Sequence, residues 1–178
     1  MNKALFLDRD GIINVDHGYV YKKEEFEFIE DIFDVCHHTI AKGYKIFVIT
    51  NQSGIGRGKY TEAEFKELTK WMIAEFKVQG VIIDDVYFCP HHPTNALGDY
   101  LVNCDCRKPA PGMILKAALE HKLDLSQSIF IGDKASDIQA AEAAGIEERI
   151  LVASHYQDEL NVTAYKIDNI AQAKPYIC

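Results

Sequence analysis

Five short apolar runs divide this chain, at residues 3–7, 44–50, 81–88, 128–133 and 149–153, and segments with helical spacing fill the intervals. Runs this short and continuous suit strands buried on both faces, the habit of a parallel sheet covered by helices. Ile32, Phe33, Cys36 and Ile40 recur at helical intervals, and Gly43 is placed to close that helix. Thr61 and Glu64 form a capping-box signature ahead of Phe65, Leu68, Met72 and Phe76. A helix from about Pro111 to His121, with proline in its first turn, and another over "DIQAAEAAG", closed by Gly145, continue the alternation. "YKIDNIAQA" near the end reads as a last short strand and helix. The expected fold class is α/β: an open parallel sheet with helices on both faces, three layers in all. At 178 residues it is expected to be a single domain over 1–178.

In such sheets ligands bind beyond the carboxyl ends of the strands. Asp8 and Asp10, Thr50 and Asn51, and Asp133 all follow the ends of predicted strands, so three strands deliver polar groups to one rim. Asp8 and Asp10 stand two apart with Arg9 between them, which in extended chain puts both carboxylates on one side and Arg9 on the other. Two adjacent carboxylates repel, and a divalent cation removes the repulsion. Mg²⁺ suits hard oxygen ligands and is typically held by one or two carboxylates together with substrate phosphate, and Asp133 could add another carboxylate. Aspartate before glycine is also ordinary turn chemistry, so "DRDG" alone does not decide the matter. "TNQSGIGRG" (50–58) can offer a hydroxyl and backbone N–H groups to an oxyanion, and its glycines do not have the dinucleotide spacing. Arg107 and Lys108 in "CRKP" can neutralise phosphate oxygens, the arginine as a fork and the lysine as a point charge.

The loop 89–106 pairs Cys89-x-His91 with Cys104-x-Cys106. Two sulfur or nitrogen donors spaced in this way, twice over, form a set that closed, structural Zn²⁺ sites use. His92 competes with His91 as a ligand at this point. Five cysteines, three of them in one loop, fit a reduced compartment with a metal site better than a disulfide framework. A formal charge of −8 with no basic block argues against a nucleic-acid surface. The apolar stretch before Asp8 is too short for a signal peptide or a membrane span.

Taken in order, "DRDGIIN" (8–14), "TNQSG" (50–54), Lys108 and "GDKASD" (132–137) resemble the four motifs of the haloacid dehalogenase (HAD) superfamily of phosphatases. The resemblance implies a HAD-like Rossmannoid fold. It makes Asp8 the nucleophile that becomes a phosphoaspartate and Asp10 the general acid and base. It has Thr50 and Lys108 hold the phosphoryl oxygens, and Asp8, the carbonyl of Asp10, and Asp133 bind Mg²⁺. A protonated Asp10 is needed for acid catalysis, so its pKa is expected to lie above that of Asp8.

The zinc loop, on a chain without a large inserted cap, resembles the branch of that superfamily containing heptose bisphosphate and histidinol phosphatases, over about residues 3–153. That branch implies a flap over the substrate at about 14–28, with Asp16, His17, Gly18 and Tyr19 in contact with it. Asn51, Gln52, Ser53, Arg107 and Lys134 complete the implied substrate-binding set. The implied function is Mg²⁺-dependent release of the 7-phosphate of a heptose 1,7-bisphosphate, with Zn²⁺ in a structural role. The partner is then a small phosphorylated sugar, with no nucleic acid or membrane, and the protein a cytoplasmic monomer. The near alternative is histidinol phosphate. Residues 92–103 make a long span between the zinc pairs, and a cationic substrate would want an acidic pocket; both favour the bisphosphate. A zinc-stapled binding module without catalysis is the alternative from another class, but nothing is missing from the catalytic set.

Overall fold

Leu5 and Leu7 turn to one face of the first strand, Ala4 and Phe6 to the other, and all four are fully buried. Only a strand covered on both faces can be buried this way. The computed structural model describes residues 1–156 and 161–178, so residues 157–160 of the expected domain lie outside the described residues. Its strands are β1 (Ala4–Leu7), β2 (Lys45–Asn51), β3 (Asp85–Cys89), β4 (Ile129–Gly132), β5 (Glu148–Val152) and β6 (Tyr165–Ile167). Its helices are α1 (Ile32–Ala41), the single turn α2 (Ser53–Gly56), α3 (Glu62–Val78), α4 (Gly112–His121) and α5 (Ala135–Ala143).

The strands form one parallel sheet in the order β3-β2-β1-β4-β5-β6. Leu5, Leu7, Ile46, Val48, Ile129 and Ile131 share one core with residues of α1 and α3. Phe6, Phe47 and Phe130 share the other with residues of α4 and α5. The result is three layers. Each buried phenylalanine contributes on the order of 2–3 kcal/mol by leaving water. The chain steps outward from β1 to β2 and β3, then returns to place β4 on the other side of β1. That reversal opens a crevice at the strand ends, the place where such sheets bind ligands.

Two local expectations need correction. Residues 81–84 of the 81–88 run do not pair as a strand; the strand runs instead from Asp85 to Cys89, one residue beyond the run's end. Upstream, the Asp84 carboxylate accepts the Ile46 N–H at 2.9 Å, a bond that a regular ladder would give to a backbone carbonyl. In α1 the buried stripe is Ile32, Val35, Cys36 and Thr39, while Ile40 is exposed. Thr39 can be buried because its hydroxyl donates to the Val35 carbonyl at 2.8 Å. The capping box at Thr61 and Glu64 forms as expected, and β6 and a 3₁₀ segment, Ile170–Tyr176, follow from the tail. Among the described residues no inserted cap domain stands over the sheet, and no helix is long and apolar enough to cross a membrane.

Candidate active site

The sheet delivers its charge to the switch point. Asp8 follows β1 and continues the ladder, its N–H donating to the Ile131 carbonyl at 3.1 Å. Asp133 follows β4, and the loop before α4 sends in Lys108. All three are buried. Lys108 Nζ lies 2.9 Å from Asp8 Oδ1 and 2.6 Å from Asp137 Oδ1, and it donates to the Ile49 carbonyl at 2.8 Å. Asp137, on the first turn of α5, was not singled out from the sequence. Its other oxygen accepts the backbone N–H groups of Asp133 and Lys134, each at 3.1 Å. Its signal in the sequence is that it closes the motif "GDKASD", four residues after Asp133 and at the start of a predicted helix. Asn51 clamps Lys108 from β2: its Oδ1 accepts the Lys108 N–H at 3.0 Å and its Nδ2 donates to the Lys108 carbonyl at 3.2 Å.

Asp10 sits in a nest of donors. Arg9 Nη2 donates to Oδ1 at 2.9 Å, Asn14 Nδ2 to the same oxygen at 3.0 Å, and Gln52 Nε2 to Oδ2 at 3.1 Å. This corrects two expectations. Arg9 does not turn away from the pair but folds back onto Asp10, buried near the rings of Phe26 and Phe65. The order of acidities is also reversed. Burial pushes Asp10 upward, but the Arg9 charge and the hydrogen bonds from Asn14, Arg9 and Gln52 outweigh it and hold the carboxyl below its ordinary range. Asp8 goes the other way, up to about 6, through burial first and then the Asp137 charge, with Lys108 opposing. Donors aimed at a carboxylate favour the charged form, while like charges disfavour it. Gln52 is buried, donates also to Thr50 Oγ1 at 2.8 Å, and accepts the Tyr60 hydroxyl.

Carboxylate oxygens of Asp8, Asp133 and Asp137 lie within 4.8 Å of one another, with Lys108 paired to Asp8 and Asp137 and the Lys134 charge nearby. Asp133 Oδ1 is buried with no hydrogen-bond partner. Burial, and then the charges of Asp8 and Asp137, push the Asp133 carboxyl up to about 9. Buried oxygens short of positive charge are what a hard divalent cation coordinates, so the donor set fits Mg²⁺. Gly11 keeps the space open: its φ is +94°, and a Cβ there would stand 2.2 Å from Asp133 Oδ2. Because Asp8 and Asp133 bind protons more tightly folded than unfolded, their contribution to stability falls as pH rises from about 4 toward about 9. Without added magnesium, lowering the pH from 8 to 6 should raise the thermal midpoint; saturating magnesium should remove most of that gain. A midpoint that drops equally with and without magnesium over the same range would contradict the charge deficit.

Residues 14–28, where the flap was expected, form a loop tied at its base by Val15 N–H to the Glu27 carbonyl and Ile29 N–H to the Ile13 carbonyl, each at 2.8 Å. Arg9 Nη2 holds it from below through the Val20 carbonyl at 2.8 Å. A cavity of about 380 Å³ lies under it, with Asp10, Asp16, Gly18, Tyr19, Arg57 and Lys134 in its wall. Asn51, Gln52, Ser53 and Tyr156 also reach this cavity. Tyr156 donates to Asp16 Oδ2 at 3.2 Å, and Lys134 Nζ lies 4.4 Å from the centre of its ring. His17 is not part of this wall; it is exposed and pairs with Glu27 at 3.0 Å. Arg107 also lies outside the wall, with Nη1 3.5 Å from the His91 carbonyl.

At the zinc loop the donor atoms of Cys89, His91, Cys104 and Cys106 all lie within 4.8 Å of one another. His91 Nδ1 is 3.3 Å from Cys106 Sγ and 3.6 Å from Cys89 Sγ. His92 turns away: its Nδ1 accepts the Thr94 and Asn95 N–H groups at 3.1 and 2.9 Å. Burial raises Cys104, but N–H groups of Arg107 and Cys106 and the neighbouring thiols bring it down to about 7. Backbone donors turned toward a sulfur favour the thiolate, the form that binds metal. Three sulfurs and one imidazole in a closed cluster fit Zn²⁺.

Comparison with known proteins agrees with this geometry. A HAD-hydrolase-like family model matches residues 105–173. The chain is 50% identical to D-glycero-beta-D-manno-heptose-1,7-bisphosphate 7-phosphatase of Vibrio cholerae serotype O1, covering 84% of this chain and 80% of that protein. It is also 50% identical to the alpha-named counterpart of Burkholderia mallei, covering 85% and 80%. The solved D,D-heptose 1,7-bisphosphate phosphatase of B. bronchiseptica, complexed with magnesium and phosphate, superposes with a TM-score of 0.85 at 26% identity, over 98% of this chain and 97% of that one. With half its residues shared across most of both lengths and the buried Asp8–Lys108–Asp137 cluster at the switch point, the chain belongs to the heptose-1,7-bisphosphate 7-phosphatase family of HAD-like hydrolases.

Proposed function

We propose that this phosphatase removes the 7-phosphate of D-glycero-D-manno-heptose 1,7-bisphosphate through a phosphoaspartate. The observation that carries the substrate is the 50% identity to relatives of that name across 84% of the chain. In the proposed reaction an Asp8 oxygen attacks phosphorus, the bond to the sugar oxygen breaks, and that oxygen takes the proton of Asp10. Water then attacks the phosphoaspartate, gives its proton to Asp10, and the bond to Asp8 breaks to release phosphate. Lys108, 2.9 Å from Asp8, orients the attacking carboxylate and offsets charge on the phosphoryl oxygens. Asp137 holds Lys108 from the far side, and Asn51 fixes its backbone. Gln52 aligns Asp10 and Thr50 together, since one amide nitrogen donates to both.

Asp8, the carbonyl of Asp10, and Asp133 would hold Mg²⁺, which when bound screens the anionic phosphate from the attacking carboxylate. With Asp10 held in its charged form by its donors, it suits the base half of the cycle as it stands. An anionic phosphoryl group beside it would favour the protonated form needed for the acid half. We assign Zn²⁺ to the four donors of the loop, where it fixes the backbone that leads directly into Arg107 and Lys108. Gly18, Tyr19 and Lys134 are assigned to the sugar and its phosphates from their place in the cavity wall. The protein is read as acting on a small phosphorylated sugar in the cytoplasm, as a monomer.

The test is phosphate release with magnesium from both anomers of the heptose bisphosphate, since relatives of equal identity are named for each, and from histidinol phosphate. The expected result is a kcat/KM at least about 100-fold higher for one heptose anomer than for histidinol phosphate, near 2.7 kcal/mol of discrimination. The reverse order would move the protein to the other substrate while leaving the chemistry of Asp8 and Asp10 in place.

A further inference from the structure

A bisphosphate brings two anionic groups, and the cavity must meet the one that is not hydrolysed. Among the described residues four cations border the reaction space, and two of them are paired with aspartates. Lys108 is shared between Asp8 and Asp137 at 2.9 and 2.6 Å. Arg9 is bound to Asp10 and to the Val20 carbonyl. Lys134 forms no ion pair among the described residues. It follows Asp133 directly, feels the charges of Asp8 and Asp133, lies 4.4 Å from the centre of the Tyr156 ring, and is the cation assigned above to the sugar. The remaining one is Arg57, which follows the turn α2 and was not singled out from the sequence.

Arg57 lines the cavity, yet among the described residues it forms no ion pair with a carboxylate. Its Nη1 donates to the Tyr19 hydroxyl on the flap at 2.9 Å, while its Nε is buried with no partner. A guanidinium held at one end, with a buried N–H left over, is oriented and short of an acceptor. Its position is built in. The Gly56 carbonyl accepts the Leu97 N–H at 2.7 Å, so the zinc loop packs against the residue just before it. There is no room for a side chain at Gly56, where a Cβ would stand 2.5 Å from the Pro90 carbonyl oxygen. Arg107, on the other arm of that loop, is close enough for the two guanidinium charges to repel. Arg107 has the sulfurs of Cys89, Cys104 and Cys106 beside it, whereas Arg57 is an oriented guanidinium in the cavity wall with no carboxylate among the described residues, and such a fork is matched to a phosphate dianion.

We propose that Arg57 is a specificity-determining residue that seats the second, non-reacting phosphate of the substrate, with Arg107 behind it. This rests on the bisphosphate reading above. Through Tyr19, occupation of that seat also ties the flap down over the sugar. One phosphate is then gripped by the catalytic cluster and the other by the α2 turn, which sets which end of the sugar faces Asp8.

The experiment compares the full-length wild type with Arg57→Gln and Arg57→Lys on the heptose 1,7-bisphosphate and on the heptose 7-phosphate, with magnesium. The quantity read is the ratio of kcat/KM for the two substrates. Arg57→Gln should lower that ratio by about tenfold or more, mainly through KM for the bisphosphate, the effect expected of a lost charge-assisted hydrogen bond. Arg57→Lys, which keeps the charge but not the fork, should recover part of the ratio. An unchanged ratio in Arg57→Gln would overturn the proposal, because a residue that only braces the flap weakens both substrates alike. If the wild type itself shows no preference for the bisphosphate, the substrate reading falls and this seat with it.

Discussion

Asp8→Asn should abolish turnover, lowering kcat by at least about 10⁴-fold, with the protein still folded. The amide has the same shape but no charged oxygen to attack phosphorus, and no other carboxylate sits at the end of β1 beside Lys108. Folding should survive because the buried cluster is overloaded with negative charge. Asp8 is pushed up to about 6, and Asp133 to about 9. Removing one carboxylate relieves that repulsion, and Lys108 keeps its 2.6 Å contact with Asp137. The check is phosphate release together with the thermal midpoint, measured without added magnesium. A variant retaining more than a tenth of wild-type kcat would show that another group or water attacks directly, and the phosphoaspartate would have to be given up.

Loss of the zinc that we assign to the 89–106 loop should have the second-largest effect. Cys106→Ala leaves three donors in a cluster designed for four, and it removes the sulfur adjacent in sequence to Arg107. The variant should retain no zinc by elemental analysis. Its midpoint should fall by on the order of 10 °C, since a cost of about 3–4 kcal/mol moves a domain of this size by that much. Activity should fall less steeply than stability. Lys108 is also clamped by Asn51 at 3.0 and 3.2 Å and by Asp137, so its aim does not depend on the loop alone. Arg107 has no comparable second anchor, its nearest recorded contact being the His91 carbonyl at 3.5 Å. The expected signature is therefore a KM raised about tenfold with a smaller change in kcat. Full activity and an unchanged midpoint in zinc-free protein would remove the structural role assigned to the loop.

Much of the site was legible in one dimension because its parts are local. Asp8, Asp10 and Asp133 stand at or just past the ends of apolar runs and Thr50 closes one, within β2, and a parallel sheet sends all such ends to one rim. The pairs Cys89/His91 and Cys104/Cys106 carry their own geometry in a spacing of two. Asn51 and Gln52 were legible as rim residues, but not as clamps on Lys108 and on Asp10. Those bonds run to partners far along the chain, 57 residues away for Asn51 and 42 for Gln52. His17 and Arg107 were placed on the substrate by motif position, whereas the folded chain turns His17 to Glu27 and sets Arg107 outside the cavity wall.

The sequence by itself determined the α/β class, the rim that carries the carboxylates and the grouping of the Cys and His donors, because each follows from short-range periodicity and residue chemistry. The tertiary structure alone decided how charge is shared among them. It put Lys108 between Asp8, 100 residues before it, and Asp137 on α5, it folded Arg9 back onto Asp10, and it left Arg57 without a carboxylate among the described residues. Acidity and pairing depend on which distant groups meet in a buried, poorly solvated space, and spacing along the chain carries no record of that.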